Sequence, residues 1–269
     1  MGQTARVDAV LCEIAEGIAT LTINRPDRLN AQNTAVFEAA LGHLERIAEE
    51  RSVHVVVLTG AGRAFSAGGD LVDIGSSGGA ARVPRLERVR QVRMLTRTSE
   101  LLHGMPQVTI AAVNGACAGG GMSWAMACDL RYAARSAFFT TAFVNAGLSG
   151  DFGMTWLLPR AVGPARAKEL LFFADRFDAA RAAELGVVTD VLDDDGFLDA
   201  VRARAARLAA KAPLALMGLK ANVNDAAGLD FGAHLDIETT RIVATLGSSD
   251  CAEAAHAFLE KRTPVFRGE

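Results

Sequence analysis

Apolar residues fall along this chain in two kinds of run. Short blocks rich in β-branched residues, Val53 to Leu58 and Val108 to Val113, read as buried parallel strands, and each ends at a glycine-rich stretch. Val7 to Ile14 and Ala19 to Asn24 flank Glu16-Gly17 as a hairpin-like entry, and Leu130 to Ala133 and Ala137 to Thr141 read as further strands separated by Arg135-Ser136. Helical spacing marks Thr34 to Ala48, with Val36, Leu41, Leu44 and Ile47 on one face, and Arg85 to Leu102. Strand and helix in alternation predict an α/β core of repeated ββα units. After Gly163 the pattern turns mostly helical. Pro164 to Phe173, Asp178 to Leu185, Gly196 to Lys211, Pro213 to Asn224 and Phe231 to Leu246 read as helices, with a strand at Val187 to Val191. The last helix is expected from Asp250 to Arg262, with Asp250 as its cap and Ala254, Ala257, Phe258 and Leu259 on one side. The division expected is a core over residues 1–195 and a C-terminal helical region over 196–269.

Composition narrows the class. The 269 residues are half apolar and 22% charged, which describes a globular chain able to bury a large core. A net charge of −3 gives no electrostatic basis for nucleic-acid binding. Four cysteines form no C-x-x-C pair and sit mostly in apolar runs, usage that suits a reducing, cytoplasmic compartment. The histidines show no metal-ligand spacing, and Met1 to Arg6 carry no apolar signal core. From Gly104 to Cys128 no residue is charged, but Pro106, Gln107, Asn114 and several glycines fit a buried strand, loop and helix better than a membrane span.

The glycines carry the chemistry. Ser66-Ala67-Gly68-Gly69-Asp70 and the run Gly115 to Met122 each follow a predicted strand, and the second opens a helix. Either alone reads as a tight turn. Together they can aim two backbone N–H groups at one oxyanion, because a ligand can approach a main chain that has no Cβ, and because a helix N-terminus favours developing negative charge.

Leu21 to Ala31, then Ala64 to Leu71, then Val113 to Gly121, then Ala127 to Arg131 resemble, in order and spacing, the crotonase family of enoyl-CoA hydratases and isomerases. The resemblance runs from about residue 7 to the C-terminus. It implies a spiral of ββα units followed by helices that serve oligomerisation and cover the active site. It also implies acyl-CoA substrates, no permanently bound cofactor beyond the coenzyme A of the substrate, and homotrimers or paired trimers. Carried over by residue, the oxyanion donors are Gly69 and Gly120. The channel for pantetheine and nucleotide is lined by Arg28, Leu29, Ala31, Ala64, Ala67, Gly68, Asp70 and Leu71. Phe258 and Lys261 match positions that reach the CoA of a neighbouring subunit. Their other reading is a core Phe and an exposed Lys, and the other reading of Arg28, which follows Pro-Asp, is a solvated side chain. The Gly75 to Pro84 segment borders the acyl pocket or is a solvated loop, and Leu95, Phe143 and Trp156 are candidates to shape that pocket.

Hydratases of this family use two glutamates. Here Ser123 and Phe143 occupy those positions, and neither is a base near neutral pH. Gly147 to Arg160 resembles instead the branch holding 2-(1,2-epoxy-1,2-dihydrophenyl)acetyl-CoA isomerase, in which the aspartate matching Asp151 is the acid/base. Gly150 stands where that branch usually has proline. Asp151 also reads as a helix N-cap, which would lower its pKa. Four activities remain: isomerisation through Asp151, hydration with a water held by Ser123, thioester hydrolysis with Ser123 as nucleophile, and acyl-CoA binding without turnover. Dehalogenation is disfavoured by Thr96, which stands where the family places a histidine.

Overall fold

The structure is a computed structural model that describes residues 8–70, 72 and 83–269. Strands β1 (Val10–Ala15) and β2 (Ile18–Ile23) form the antiparallel entry hairpin. Helix α1 (Thr34–Glu49) starts where the Asn33 side chain accepts a hydrogen bond from the Val36 N–H at 3.1 Å, and it buries Val36, Phe37, Ala40, Leu44 and Ile47. Three units then repeat a pattern in which one strand joins a large sheet and the next joins a small one. They begin with β3 (Val55–Gly60) and β4 (Ala64–Ser66), β5 (Val108–Val113) and β6 (Ala116–Ala118), and β7 (Leu130–Ala134) and β8 (Phe138–Thr140).

The large sheet runs β1-β2-β3-β5-β7-β10, parallel after its first pair, and the small one runs β4-β6-β8-β9. Strands β9 (Phe177–Asp178) and β10 (Asp190–Leu192) close the two sheets. Every residue of β3 and β5 is buried, as expected of parallel strands covered on both faces. The uncharged run from Gly104 to Cys128 resolves into β5, β6 and a helix, Gly119–Ala127, with all nine residues buried. Among the described residues no helix is long and apolar enough to cross a membrane.

Three expectations are corrected. Arg85 to Leu102 is two helices, α2 (Arg85–Leu95) and α3 (Arg97–Gly104), broken at Thr96, whose hydroxyl donates to the Arg93 carbonyl at 2.8 Å instead of projecting into solvent. The first glycine stretch does not follow the long strand β3 directly, because β4 intervenes, and the second, which starts just after β5, contains β6; β4 and β6 carry the chain from one sheet to the other. The last helix runs Ser249–Glu260 and is capped by Ser248, which accepts from the Cys251 N–H. Asp250 is buried and accepts instead from the N–H groups of Arg267 and Gly268 at 2.7 and 2.9 Å, which pins the chain end.

Helix α4 (Gly119–Ala127) is followed by α5 (Met154–Val162), α6 (Pro164–Phe173), α7 (Ala179–Glu184) and α8 (Phe197–Ala209), and α8 buries Phe197, Val201 and Ala205. Helices α9 (Pro213–Ala226) and α10 (Phe231–Leu246) bury no residue fully, and α11 (Ser249–Glu260) buries only Asp250 and Ala257.

Candidate active site

The segment leading from β2 to α1 is folded by its own side chains. Leu29 and Asn30 both take left-handed φ, 50° and 56°. Asn tolerates that region because its short amide can bond the backbone nearby. Asn30 accepts from the Arg25 N–H and donates to the carbonyls of Ala61 and Ala64 at 2.9 and 2.6 Å. Arg25 bonds the Ala31 carbonyl at 2.6 Å and pairs with Asp70 at 3.0 Å, so the two ends of the segment are tied together. The result is a parallel bridge between Gln32 and Gly69, in which Gln32 N–H donates to Gly68 O at 2.7 Å and Asp70 N–H donates to Gln32 O at 2.9 Å. A residue bridged in this way turns its own N–H outward. The Gly69 N–H has no partner among the described residues.

Gly120 lies in the first turn of α4, where N–H groups have no intrahelical acceptor, and the cap residue Ala118 offers no side-chain oxygen. The two glycine segments touch. A Cβ on Gly68 would lie 2.8 Å from Ala118 O and 3.2 Å from Gly120 N, and Gly68 has φ +85°, so both space and conformation require glycine there. Two outward N–H groups thus stand on adjoining segments, with the positive end of α4 behind one of them.

Asp151 sits where the chain enters α5. The N-cap of α5 is Gly153, without a side-chain bond, so the reading of Asp151 as a cap is corrected. Its Oδ1 accepts the neighbouring Phe152 N–H at 2.8 Å, and its Oδ2 has no bond among the described residues. Burial raises the carboxyl pKa, partly opposed by that Phe152 bond, which is the opposite of what capping would do. The turn is unusual. Gly150, Phe152 and Gly153 all have positive φ, and at +111° Gly150 stands where proline, fixed near −65°, cannot. Phe152 at +51° bears about 1–2 kcal/mol of strain. Burying its ring, stacked 5.1 Å from Phe37, is worth about 1.5–3 kcal/mol, enough to hold the turn.

Ser123 is completely buried, and its hydroxyl reaches only main-chain oxygens, Asp151 O at 3.0 Å and Gly119 O at 3.3 Å. It ties the Asp151 turn to the start of α4. Phe143 is buried as well. Among the described residues no His, Cys, Asp or Glu cluster could hold a metal, and burial pushes the Cys128 thiol up to about 12, so that side chain is a poor nucleophile.

The remaining predicted positions divide. Leu29, Ala31, Ala67 and Gly68 belong to the tied segments beside Gly69, and Arg28 is exposed at their edge. Ala64 is corrected: it is 1% exposed and its carbonyl is filled by Asn30, so it supports the loop from inside. The Asp70 carboxylate is engaged by Arg25, a structural tie. Trp156 stands apart from Asp151. It faces away from the buried side of α5, which is formed by Met154 and Leu158, and lines a cleft with His103, Arg160 and Lys220. Phe258 is 83% exposed, so its core reading is overturned, and Lys261 ends α11 in the left-handed region. Leu71 and residues 75–82 of the Gly75 to Pro84 segment lie outside the described residues. Sequence reasoning missed Asn30 and Gln32; the run Asn30-Ala31-Gln32 was the available signal for both.

Comparison with known proteins agrees with this arrangement. Residues 13–269 match the enoyl-CoA hydratase/isomerase family. A Rhodobacter capsulatus protein named a probable enoyl-CoA hydratase is 40% identical, covering 95% of this chain and 96% of that protein. The 1,2-epoxyphenylacetyl-CoA isomerase of Escherichia coli K12 is 35% identical over 98% of this chain and 100% of its own. The crystal structure of an enoyl-CoA hydratase from Bacillus anthracis superposes with a TM-score of 0.90 at 32% identity, covering 97% of this chain and all of that one. With paired sheets, two outward glycine N–H groups and matches along nearly its whole length, this chain belongs to the enoyl-CoA hydratase/isomerase family.

Proposed function

We propose that this enzyme isomerises acyl-CoA thioesters through an enolate, with Asp151 as its single acid/base and the N–H groups of Gly69 and Gly120 holding the thioester oxygen. On a β,γ-enoyl thioester, the Asp151 carboxylate takes a proton from Cα. The electron pair moves onto the thioester oxygen, and the same group, now a carboxylic acid, returns the proton at Cγ while the double bond moves into conjugation. No co-reactant is consumed. One carboxylate suffices because removal at Cα and return at Cγ occur on one allylic system, only one carbon apart in the chain. An aryl-epoxide thioester, as in the name of the Escherichia coli relative, is a second substrate of the same enolate chemistry.

The observation that carries this reading is the contrast between Asp151 and its neighbours. Asp151 is half-buried, keeps one carboxylate oxygen unbonded and has a raised pKa, which suits a base working near neutral pH. Ser123 is spent on carbonyl oxygens and Phe143 can transfer nothing. Hydration through Asp151 is the second reading, favoured by the name of the Rhodobacter capsulatus relative. The exposed Phe258 and the apolar surface of α9 and α10 support a homotrimer or dimer of trimers in which a neighbour completes the CoA site, and the cysteine usage supports a cytoplasmic location.

Proton exchange at Cα in deuterated water, followed with β,γ-enoyl-CoA and arylacetyl-CoA thioesters, is the test. Exchange by the wild type that disappears in Asp151→Asn is expected. Full exchange in Asp151→Asn removes Asp151 from the mechanism, and incorporation of solvent oxygen at Cβ selects hydration.

A further inference from the structure

Gln32 contributes more than its backbone. Its side chain is 2% exposed, and neither the oxygen nor the nitrogen of its amide has a hydrogen-bond partner among the described residues. A buried amide left unmatched is destabilising whichever way it is turned, so its retention calls for an explanation. Its place supplies one. Gln32 is bridged to Gly69, and a Cβ built on Gly120 would lie 2.4 Å from the Gln32 Oε1 and 3.4 Å from the Phe152 ring. The amide therefore lies against Gly120 and near the residue that follows Asp151, while its own backbone is bridged to Gly69. It meets Gly120 on the Cα side and makes no bond with the Gly120 N–H, which leaves that N–H for the thioester oxygen.

Phe152 belongs to an aromatic cluster. Phe37 stacks on Phe152, and Trp124 meets both rings edge to face at 5.7 and 6.4 Å. The Trp124 Nε1 is likewise buried without a partner. An aromatic cluster adjoining an unmatched amide suits an acyl group that is mostly hydrocarbon and carries an oxygen.

We propose that Gln32 is a specificity-determining residue, whose side-chain amide hydrogen-bonds an oxygen carried by the acyl group beyond Cα, so that oxygenated acyl thioesters are selected over plain hydrocarbon ones. The inference rests on the reading of this site as an acyl-CoA enolate site. A plain hydrocarbon chain leaves the amide unmatched in the complex, whereas a hydroxyl, epoxide or carbonyl oxygen satisfies it. Discrimination of this origin exceeds what one extra methylene in an apolar pocket can give.

The test uses two matched pairs, butanoyl-CoA with 3-hydroxybutanoyl-CoA and phenylacetyl-CoA with 2-hydroxyphenylacetyl-CoA. Affinity is measured by calorimetry and Cα proton exchange in deuterated water, on the full-length wild type and on Gln32→Met. The wild type is expected to prefer the hydroxylated member of at least one pair by about ten- to a hundred-fold. Gln32→Met is expected to erase that preference by bringing the hydroxylated member down to the level of the plain one. The proposal is overturned by a wild type that does not discriminate in either pair. It is equally overturned by a variant that keeps the preference, or one that weakens both members alike. A Gln32→Met variant that gains thermal stability with the preference unaltered would show that the amide only holds a buried water. The wild-type comparison stands even if the variant does not fold. Absence of Cα exchange with all four thioesters would refute the enolate reading, while the calorimetric preference still decides the role of Gln32.

Discussion

Around the glycine segments the backbone is packed so closely that a methyl group on Gly68 would sit 2.8 Å from a carbonyl oxygen, whereas along the last helices Val223, Phe231, Val243 and Phe258 are between 62% and 83% exposed. Each region is incomplete in its own way. Near Gly69, Gly120 and Gln32 the unmatched groups are polar and close together, which suits a small ligand with oxygens at set positions. On α9, α10 and α11 the unmatched groups are apolar and spread along helices, which suits a protein surface. Positional tolerance should differ accordingly, being narrow in the first region and wide in the second.

The largest effect expected of a single change lies in the first region. Asp151→Asn should lower kcat/KM by about 10²–10⁴, the usual contribution of a positioned acid/base, measured by steady-state kinetics with the wild type's best thioester. Gly68→Ala should follow, with a loss of about 10²–10³ if it displaces one proposed oxyanion donor, and with native circular dichroism. A tenfold loss or less would mean that the two segments can part without harm to the chemistry.

The pH profile sharpens the same contrast. Because burial raises the Asp151 pKa, kcat/KM should rise with pH through a midpoint above about 3.9, the ordinary aspartate value. The folded state then binds this proton more tightly than the unfolded chain, so Asp151 contributes stability below the unfolded pKa and loses it as pH rises through the folded one. At neutral pH Asp151→Asn should therefore melt higher than the wild type, with the difference shrinking in acid. An equal difference in melting temperature at all pH values would contradict the buried-carboxylate account.

Ser123→Ala should cost less than about tenfold in rate, equivalent to one net hydrogen bond of about 1 kcal/mol, because the hydroxyl only ties the turn. A thousandfold loss would revive the nucleophilic or water-holding roles. The smallest effect on chemistry is expected in the second region. Val243→Asp should shift sedimentation toward smaller species while changing the stability of the isolated chain by no more than about 0.5 kcal/mol. A wild type that sediments as a monomer would leave the apolar surface of α10 without the partner expected for it.

Much of this molecule is legible in its sequence, and what is not has a physical cause. Val108 to Val113, Pro164 to Phe173 and Phe231 to Leu246 appear where the pattern predicts them, because β-branched runs and helical spacing are local signals. The break at Thr96 has no glycine or proline to announce it. Ser248 and Asp250 are both good caps, and the choice between them is made by the returning chain at Arg267 and Gly268. At the site, the glycine pair could be read from the spacing of its motifs. The state of Asp151 could not, since it depends on the positive φ angles of Gly150, Phe152 and Gly153 on either side of it, nor could the isolation of the Gln32 amide, which depends on what fails to reach it.

The alternation of strands between two sheets bears on how the molecule comes apart. Each unit is bonded to the units before and after it, in the manner of a short solenoid, so unfolding should fray inward from the entry hairpin and from β10. The slowest amide exchange should then centre on residues 108–127, where strand and helix are wholly enclosed. One of the two proposed oxyanion donors, Gly120, is carried by that innermost unit, and the other, Gly69, follows β4, which pairs directly with β6. The proposed oxyanion pair would thus survive partial opening that has already loosened the periphery.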